Sequence, residues 1–294
     1  KSDVCYLNWR ISAIQALPKN LAIPYVLTEL LNKGSSIRTK EQMSMLTNSN
    51  GIDYTFDSNG FQILVNANCM AQNLDSTLNI LNEIMYNPNF SQEDFEAAKT
   101  KIRSYFESID KDGSDNMLVQ LYPGYFGSAR EILEGLDKMT LNDVIKHYSD
   151  MLNKGSSNFV VTAPFKKYPA TKQSALQKIS QSPVAFKDFT PKFTNIFKPN
   201  KSTKVILDSA ELNQAQIYKT YSFKMSGNIK DDVKFELLNE ILGGSPASRL
   251  FQELREKQKL AYRVSSQVQS FEDTGILTMF ITSTTDDKAQ NDIK

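Results

Sequence analysis

Histidine is almost missing: among 294 residues only His147 is one. A zinc site with two or three histidine ligands therefore cannot be assembled from this chain. Cysteine is scarce as well. Cys5 and Cys69 lie far apart and make no metal-ligand spacing. Two buried free thiols are the expectation, with a disulfide as the alternative in an oxidising compartment. A mixed site of both cysteines, His147 and a carboxylate would need all three to converge, and nothing in the spacing suggests that. No apolar run approaches the ~18–20 residues of a membrane span. Excess charge is missing too, since 34 basic and 33 acidic residues leave +1. That removes the electrostatic footprint of nucleic acid or of an anionic membrane.

What is present is a globular composition, 40% apolar and 23% charged, in a chain long enough for about two domains. His147 sits in Asp143-Val144-Ile145-Lys146-His147-Tyr148. This reads as an amphipathic helix over Thr140–Leu152 with Thr140 as N-cap and the histidine at a surface or half-buried position. The chain opens at Lys1 with no signal-peptide pattern and stops at Asp292-Ile293-Lys294, in what reads as the beginning of a helix. A truncated polypeptide is expected, and the compartment stays open.

Apolar spacing predicts a helix over Ala16–Gly34, with Leu21, Ile23, Val26, Leu27, Leu30 and Leu31 on one face and Pro24 in its first turn. Thr39 with Gln42 is a capping-box pattern. Asp53–Phe56 and Gly60–Ala67 read as strands joined across an Asn-Gly turn. Helices follow at Leu74–Tyr86, closed by Asn87-Pro88, and at Gln92–Ile109, capped by Ser91 with Asp94 at its third position. Phe159–Ala163 is a strand. Tyr168–Thr194 is rich in Lys, Ser, Gln and Pro, and reads as an interdomain linker. Strands at Lys204–Asp208 and Gln214–Phe223 and a helix at Asp231–Leu242 come after it.

The later segment repeats the earlier one. Glu29-Leu30-Leu31-Asn32-Lys33-Gly34 leads into helix, strand with Tyr54, turn, and the strand at Gly60. Glu240-Ile241-Leu242-Gly243-Gly244 leads into helix, strand with Tyr262, turn, and the strand at Gly275. The glycines are 26 residues apart in the first copy (34 to 60) and 31 in the second (244 to 275). A duplicated α+β domain explains the shared order. Its sheet should be antiparallel-rich with helices packed on one face. The expected divisions are 1–167, a linker at 168–195, and 196–294 as the start of a second, incomplete copy.

The densest pattern is Leu242-Gly243-Gly244-Ser245-Pro246-Ala247-Ser248-Arg249-Leu250-Phe251-Gln252-Glu253-Leu254-Arg255-Glu256-Lys257, running on to Leu260-Ala261-Tyr262. By spacing alone, Arg255 is a solvated helix residue and Tyr262 a core residue at a strand start. Gly243 and Gly244 are turn residues, since no phosphate-loop pattern follows. Ser245 and Ser248 read as caps. The whole segment resembles a signature of the pitrilysin/insulysin-like zinc metallopeptidases, the inverzincins. So does Asn87-Pro88-Asn89-Phe90 followed by Asp94-Phe95-Glu96 and Lys99.

That resemblance implies several things. The family's first domain carries H-x-x-E-H, two zinc ligands and a glutamate general base. Counting back from Lys33-Gly34, the matching stretch is Tyr25-Val26-Leu27-Thr28-Glu29. Tyr25 and Glu29 stand at the histidine positions and Thr28 at the base, while Glu107 falls roughly at the third ligand. The zinc motif is lost, so no cofactor is expected in this chain, and zinc is expected in a missing half. Long family members have four homologous domains in two halves, of which only the first binds metal. This chain resembles the second half. Arg255 and Tyr262 would then hold peptide substrate, Arg255 by its planar guanidinium and Tyr262 as a donor to the developing oxyanion. The implied partners are the zinc-bearing half and a peptide. A bacterial periplasmic or envelope location fits a long-form member, with the cytoplasm as the other option. Two rivals stand: an inactive structural subunit of the same fold, and a module that binds extended peptides at a sheet edge.

Overall fold

The computed structural model describes residues 3–13, 18–58, 62–112, 119, 127–180, 215–224, 229–271 and 274–283. They divide into two units, the first made of Lys1–Asp110 with Gly127–Pro191 and the second of Lys111–Phe126 with Lys192–Lys294.

The first unit contains β1 (Val4–Ser12), α1 (Ile23–Leu31), α2 (Lys40–Ser49), β2 (Asp53–Ser58), β3 (Gln62–Met70), α3 (Leu74–Tyr86), α4 (Gln92–Asp112), α5 (Ala129–Lys138), α6 (Leu141–Lys154), β4 (Ser156–Thr162) and α7 (Pro169–Ser180). Its sheet is antiparallel in the order β2-β3-β1-β4. Side chains alternate across a strand, so one face of β1 buries Cys5, Leu7, Trp9 and Ile11 while Tyr6 and Arg10 stay exposed. Those buried residues join one core with Leu27, Leu30 and Leu31 of α1, Phe56 of β2, Leu78 and Leu81 of α3, and Ile132 of α5. Trp9 Nε1 donates to Ser157 Oγ at 2.7 Å, which satisfies the one polar atom of that buried ring. The class is α+β, with helices covering one face of an antiparallel sheet.

Caps decide several boundaries. Thr39/Gln42 and Thr140/Asp143 form capping boxes, as their spacing predicts. Ser91 Oγ accepts from Asp94 N at 3.1 Å. Helix α1 starts at Ile23 rather than Ala16. Asn20 sets that start: its Oδ1 accepts from Ala22 N at 3.0 Å, and its Nδ2 donates to Gly135 O at 2.9 Å. Pro24 lies in the first turn, where its missing N–H costs nothing. Gly34 at φ +102° ends the segment, a conformation that suits glycine.

Three elements differ from the sequence expectation. Strand β1 and helix α5 are present where no element was expected. The stretch expected as a linker opens with α7, which packs on α3 and buries Ala175. Its weak periodicity hid it, since beside buried Ala175 only Ile179 among its described residues packs on the core, while Leu176 is exposed. The expected strand at Lys204–Asp208 and the Asn59-Gly60 turn lie outside the described residues.

The second unit contains β5 (Ala215–Lys224), α8 (Ile229–Asn239), a π-helical turn at Glu240–Gly244, a π-helical segment at Phe251–Lys257, β6 (Ala261–Phe271) and β7 (Thr274–Ser283). Its sheet order is β5-β7-β6, all antiparallel. Read from the other edge, β6-β7-β5 has the order and sense of β2-β3-β1. Val233, Leu237, Leu238 and Ile241 at the end of this helix are exposed, whereas the matching apolar residues of α1 are buried under α6 and β2.

Gly243 explains how the glycine break is used. A Cβ there would lie 2.7 Å from Ser266 N and 2.6 Å from Ser266 Oγ. Ser266 Oγ in turn donates to Asn239 Oδ1 at 2.7 Å. The helix end therefore rests directly on β6, a contact that any side chain would push apart. Gly243→Ala should destabilise the second unit by about 1–3 kcal/mol through this overlap. Hydrogen exchange of β6 amides, compared between wild type, Gly243→Ala and Gly51→Ala in the first unit, checks it. Unchanged β6 protection in Gly243→Ala would refute the close packing.

Candidate functional site

Two groups of residues bear on function, one in each unit. In the first, α1 presents Tyr25, Thr28 and Glu29 toward α4. The Tyr25 ring meets Phe106 edge-on, with centroids 4.9 Å apart. Both oxygens of Glu29 accept from Lys101 Nζ, at 2.7 and 2.8 Å. Thr28 Oγ1 is buried and has no hydrogen-bond partner among the described residues. The arrangement does not fit a metal. An aromatic pair replaces one ligand position, and an ammonium already neutralises the single carboxylate. Threonine has no titratable group to serve as base. Glu107 is exposed, and the α4 side chain that faces Tyr25 is its neighbour Phe106. Phe95, Ala98, Ile102 and Phe106 form the buried stripe of α4, and that period leaves Glu107 outside. Among the described residues no group of three or more His, Cys, Asp or Glu side chains is placed to hold a metal ion.

His147 is buried, 5% exposed, rather than at the surface. Val144, His147, Tyr148 and Met151 share the covered face of α6, so the imidazole belongs to the core stripe. Cys5 and Cys69 are buried free thiols.

The edge strand β2 is already partly occupied. Asn32 Nδ2 donates to Phe56 O at 2.7 Å, and Phe56 N donates to Asn32 Oδ1 at 2.9 Å. Both backbone groups of that residue are therefore satisfied away from β3, which removes one rung that an added peptide strand would use.

In the second unit, Arg255 lies in the π-helical segment and Tyr262 at the start of β6. Their environments are built by an unusual backbone. Lys259 adopts φ +57°, and Leu260 N donates to Leu254 O at 2.9 Å, closing the helix end. Strand β6 then slips register: Ala261 pairs with Ser283 and Arg263 with Thr282, so Tyr262 is the extra residue of a β-bulge. Ala261 and Val264 take the core positions, and Tyr262 is 59% exposed. It is not the core residue that spacing alone implied. Arg255 is exposed too, with its guanidinium carbon 4.9 Å from the centroid of Phe251. That stacking holds the planar fork against the helix while leaving donors available. Ser248 is not a side-chain cap. Its Oγ is buried without a partner among the described residues, and its carbonyl accepts from Gln252 N at 3.0 Å.

Sequence reasoning did not find Lys101 and Phe106, which contact Glu29 and Tyr25, or Asn32, which bonds the edge strand. The four-residue buried spacing ending at Phe106 was a usable signal. The other two depend on which helix and strand meet.

A family model described as the peptidase M16 inactive domain matches residues 138–293, and one for insulinase, peptidase family M16, matches residues 14–126. The first alone covers more than half the chain. The protein belongs to the M16 peptidase family. Relatives of this M16 chain include an uncharacterized zinc protease of Rickettsia felis, 23% identical over 91% of this chain and 65% of that protein. A non-peptidase homolog, YmxG, of Helicobacter pylori is 23% identical over 83% of this chain and 57% of that one. The chain thus spans less than two thirds of these relatives. Among solved structures, a protease from Helicobacter pylori superposes with TM-score 0.77 at 16% identity, covering 100% of this chain and 74% of that one. A peptidase M16 inactive domain from Pseudomonas fluorescens gives TM-score 0.73 at 15% identity, covering 97% and 70%. At these identities the structures establish the fold. No described helix is long and apolar enough to cross a membrane.

Tyr25 thus lies against an aromatic ring and Glu29 against an ammonium, an arrangement without a metal-ligand set. Elemental analysis of the chain after gel filtration should find no stoichiometric zinc. One zinc per chain, lost on substituting Tyr25 or Glu29, would overturn this reading. Lys101→Ala should cost at most about 1 kcal/mol of thermal stability, because the pair is partly solvated.

Proposed function

We propose that this chain is the non-metal half of an M16 zinc peptidase. It binds and positions peptide substrate for hydrolysis at a zinc site carried by the other half, whether in the same polypeptide or in a partner subunit. The observation that supports this best is the bulge at Tyr262. A bulge re-aims one side chain out of the regular alternation, and such irregularities gather where a side chain has work to do. Here it turns a phenol to solvent seven residues after an arginine in a rare π-helical segment. The phenol can donate to an oxyanion developing at a peptide carbonyl, and the guanidinium can donate to a second carbonyl or to a carboxylate.

A second reading is an inactive binding or structural subunit, and the Helicobacter pylori relative named as a non-peptidase homolog favours it. Strand addition at β2 has less support, since Asn32 already bonds Phe56. Reading the coding sequence upstream of Lys1, and its gene neighbours, for H-x-x-E-H separates a one-chain peptidase from a two-chain one and from a scaffold.

The kinetic test uses the intact protein together with its zinc-bearing half. Tyr262→Phe should lower kcat by ~10²–10³, roughly 3–4 kcal/mol of transition-state stabilisation, with a smaller change in KM. Arg255→Lys should also slow turnover, because an ammonium lacks the planar fork. Zinc content and Tm should stay near wild type in both variants. Wild-type peptide hydrolysis in both would leave the scaffold reading standing instead.

A further inference from the structure

Cys5 and Cys69 are 64 positions apart in the chain and directly opposite each other in the β1–β3 ladder. Both thiols point to the covered face, 0% and 2% exposed. Opposed residues of an antiparallel pair have Cα atoms about 4.5 or 5.5 Å apart, depending on the rung. Disulfides span Cα separations of about 4.4–6.8 Å, so either kind of rung is compatible with a bond. Each sulfur is also a hydrogen-bond neighbour of the other. The described residues thus hold a preformed dithiol that joins two strands of one sheet.

We propose that Cys5 and Cys69 form a cross-strand thiol–disulfide couple, oxidised by exchange with a soluble disulfide. The Cys69 thiolate attacks one sulfur of the oxidant and expels one thiolate, which takes up a proton. Cys5 then loses its proton and attacks the Cys69 sulfur, closing the protein disulfide and releasing the second thiol. Two protein thiols and one disulfide become one protein disulfide and two small thiols. Burial raises the Cys69 thiol, and neighbouring Thr77 and Cys5 oppose that rise. The Cys5 thiol is pushed up to about 11 by burial first and by Cys69 second.

Access comes from the end of the ladder. The pair is one rung from the last, Val4–Met70. Beyond that rung Ala71 N donates to Asp3 O at 2.8 Å. The Asp3 carboxylate is held by Lys167 Nζ at 2.6 Å and Tyr168 Oη at 3.3 Å. Releasing this clamp frees the ladder end above the two sulfurs, while Trp9 and the rest of β1 stay packed. Local opening of this kind costs less than global unfolding.

The test incubates the reduced full chain with oxidised glutathione under native conditions. A second sample is refolded from denaturant in the same buffer. Each is quenched in acid, digested without reduction and analysed by mass spectrometry. The expected product is a linked Cys5–Cys69 peptide pair with no glutathione retained, with a raised Tm that dithiothreitol reverses. Lys167→Ala should speed closure of the native protein by up to about fivefold and leave the end product unchanged. Cys5→Ser should stop at a glutathione adduct on Cys69. Persistent adducts in the wild type, chain-to-chain dimers, or two free thiols after refolding would overturn the couple. An unchanged rate in Lys167→Ala would overturn the clamp.

Discussion

Strand β1 lies between β3 and β4, and the first unit is organised by that position. Its two ladders draw together segments from opposite ends of the unit, residues 62–70 on one side and 156–162 on the other. Its inward side chains give the helices a common apolar surface. Trp9 shows how tightly this is specified: a large ring is fully buried only because Ser157, on the neighbouring strand, accepts its N–H. A slip of one residue in either ladder would turn Tyr6 and Arg10 inward and leave Trp9 in water. The same register sets Cys5 against Cys69, so the dithiol is a product of core packing.

Helices α1 and α4 meet through side chains that need no metal ion between them. Here the approach is kept by an aromatic edge contact at Tyr25–Phe106 and an ion pair at Glu29–Lys101. Neither is strong alone. The helix is held mainly by burying Val26, Leu27, Leu30 and Leu31. That division of labour makes the helix's place in the domain depend on its apolar face more than on Tyr25 and Glu29.

The second unit spends its irregularities in one place. A π-helical turn, a glycine that tolerates no side chain, a second π-helical segment, a left-handed Lys259 and a β-bulge all fall between Glu240 and Arg263. Among its described residues the first unit has only Gly34 and Gly51 with positive φ. Backbone that departs from regular geometry is costly, and its concentration around Arg255 and Tyr262 is the physical ground for assigning them a role.

Local chemistry was legible where the chain acts within a few residues. Thr39/Gln42, Thr140/Asp143 and Ser91/Asp94 announced helix starts because a cap needs only its own turn. A single histidine limited the metal sites the chain could build, since no fold can supply a ligand the chain lacks. The shared order around Gly34 and Gly244 foreshadowed two sheets of like topology. Strand β1 went unread although Cys5, Leu7, Trp9 and Ile11 alternate with Tyr6, Asn8 and Arg10, the period of a half-buried strand; only its partners lie far along the chain. Helix α7 was hidden by a weak apolar stripe, and His147 was buried by neighbours that the sequence does not show. Which side chains meet across elements, as in Tyr25 with Phe106, Asn32 with Phe56 and Cys5 with Cys69, was decided by tertiary structure alone. Such contacts depend on register and helix placement, and these are set by burying the whole core at once.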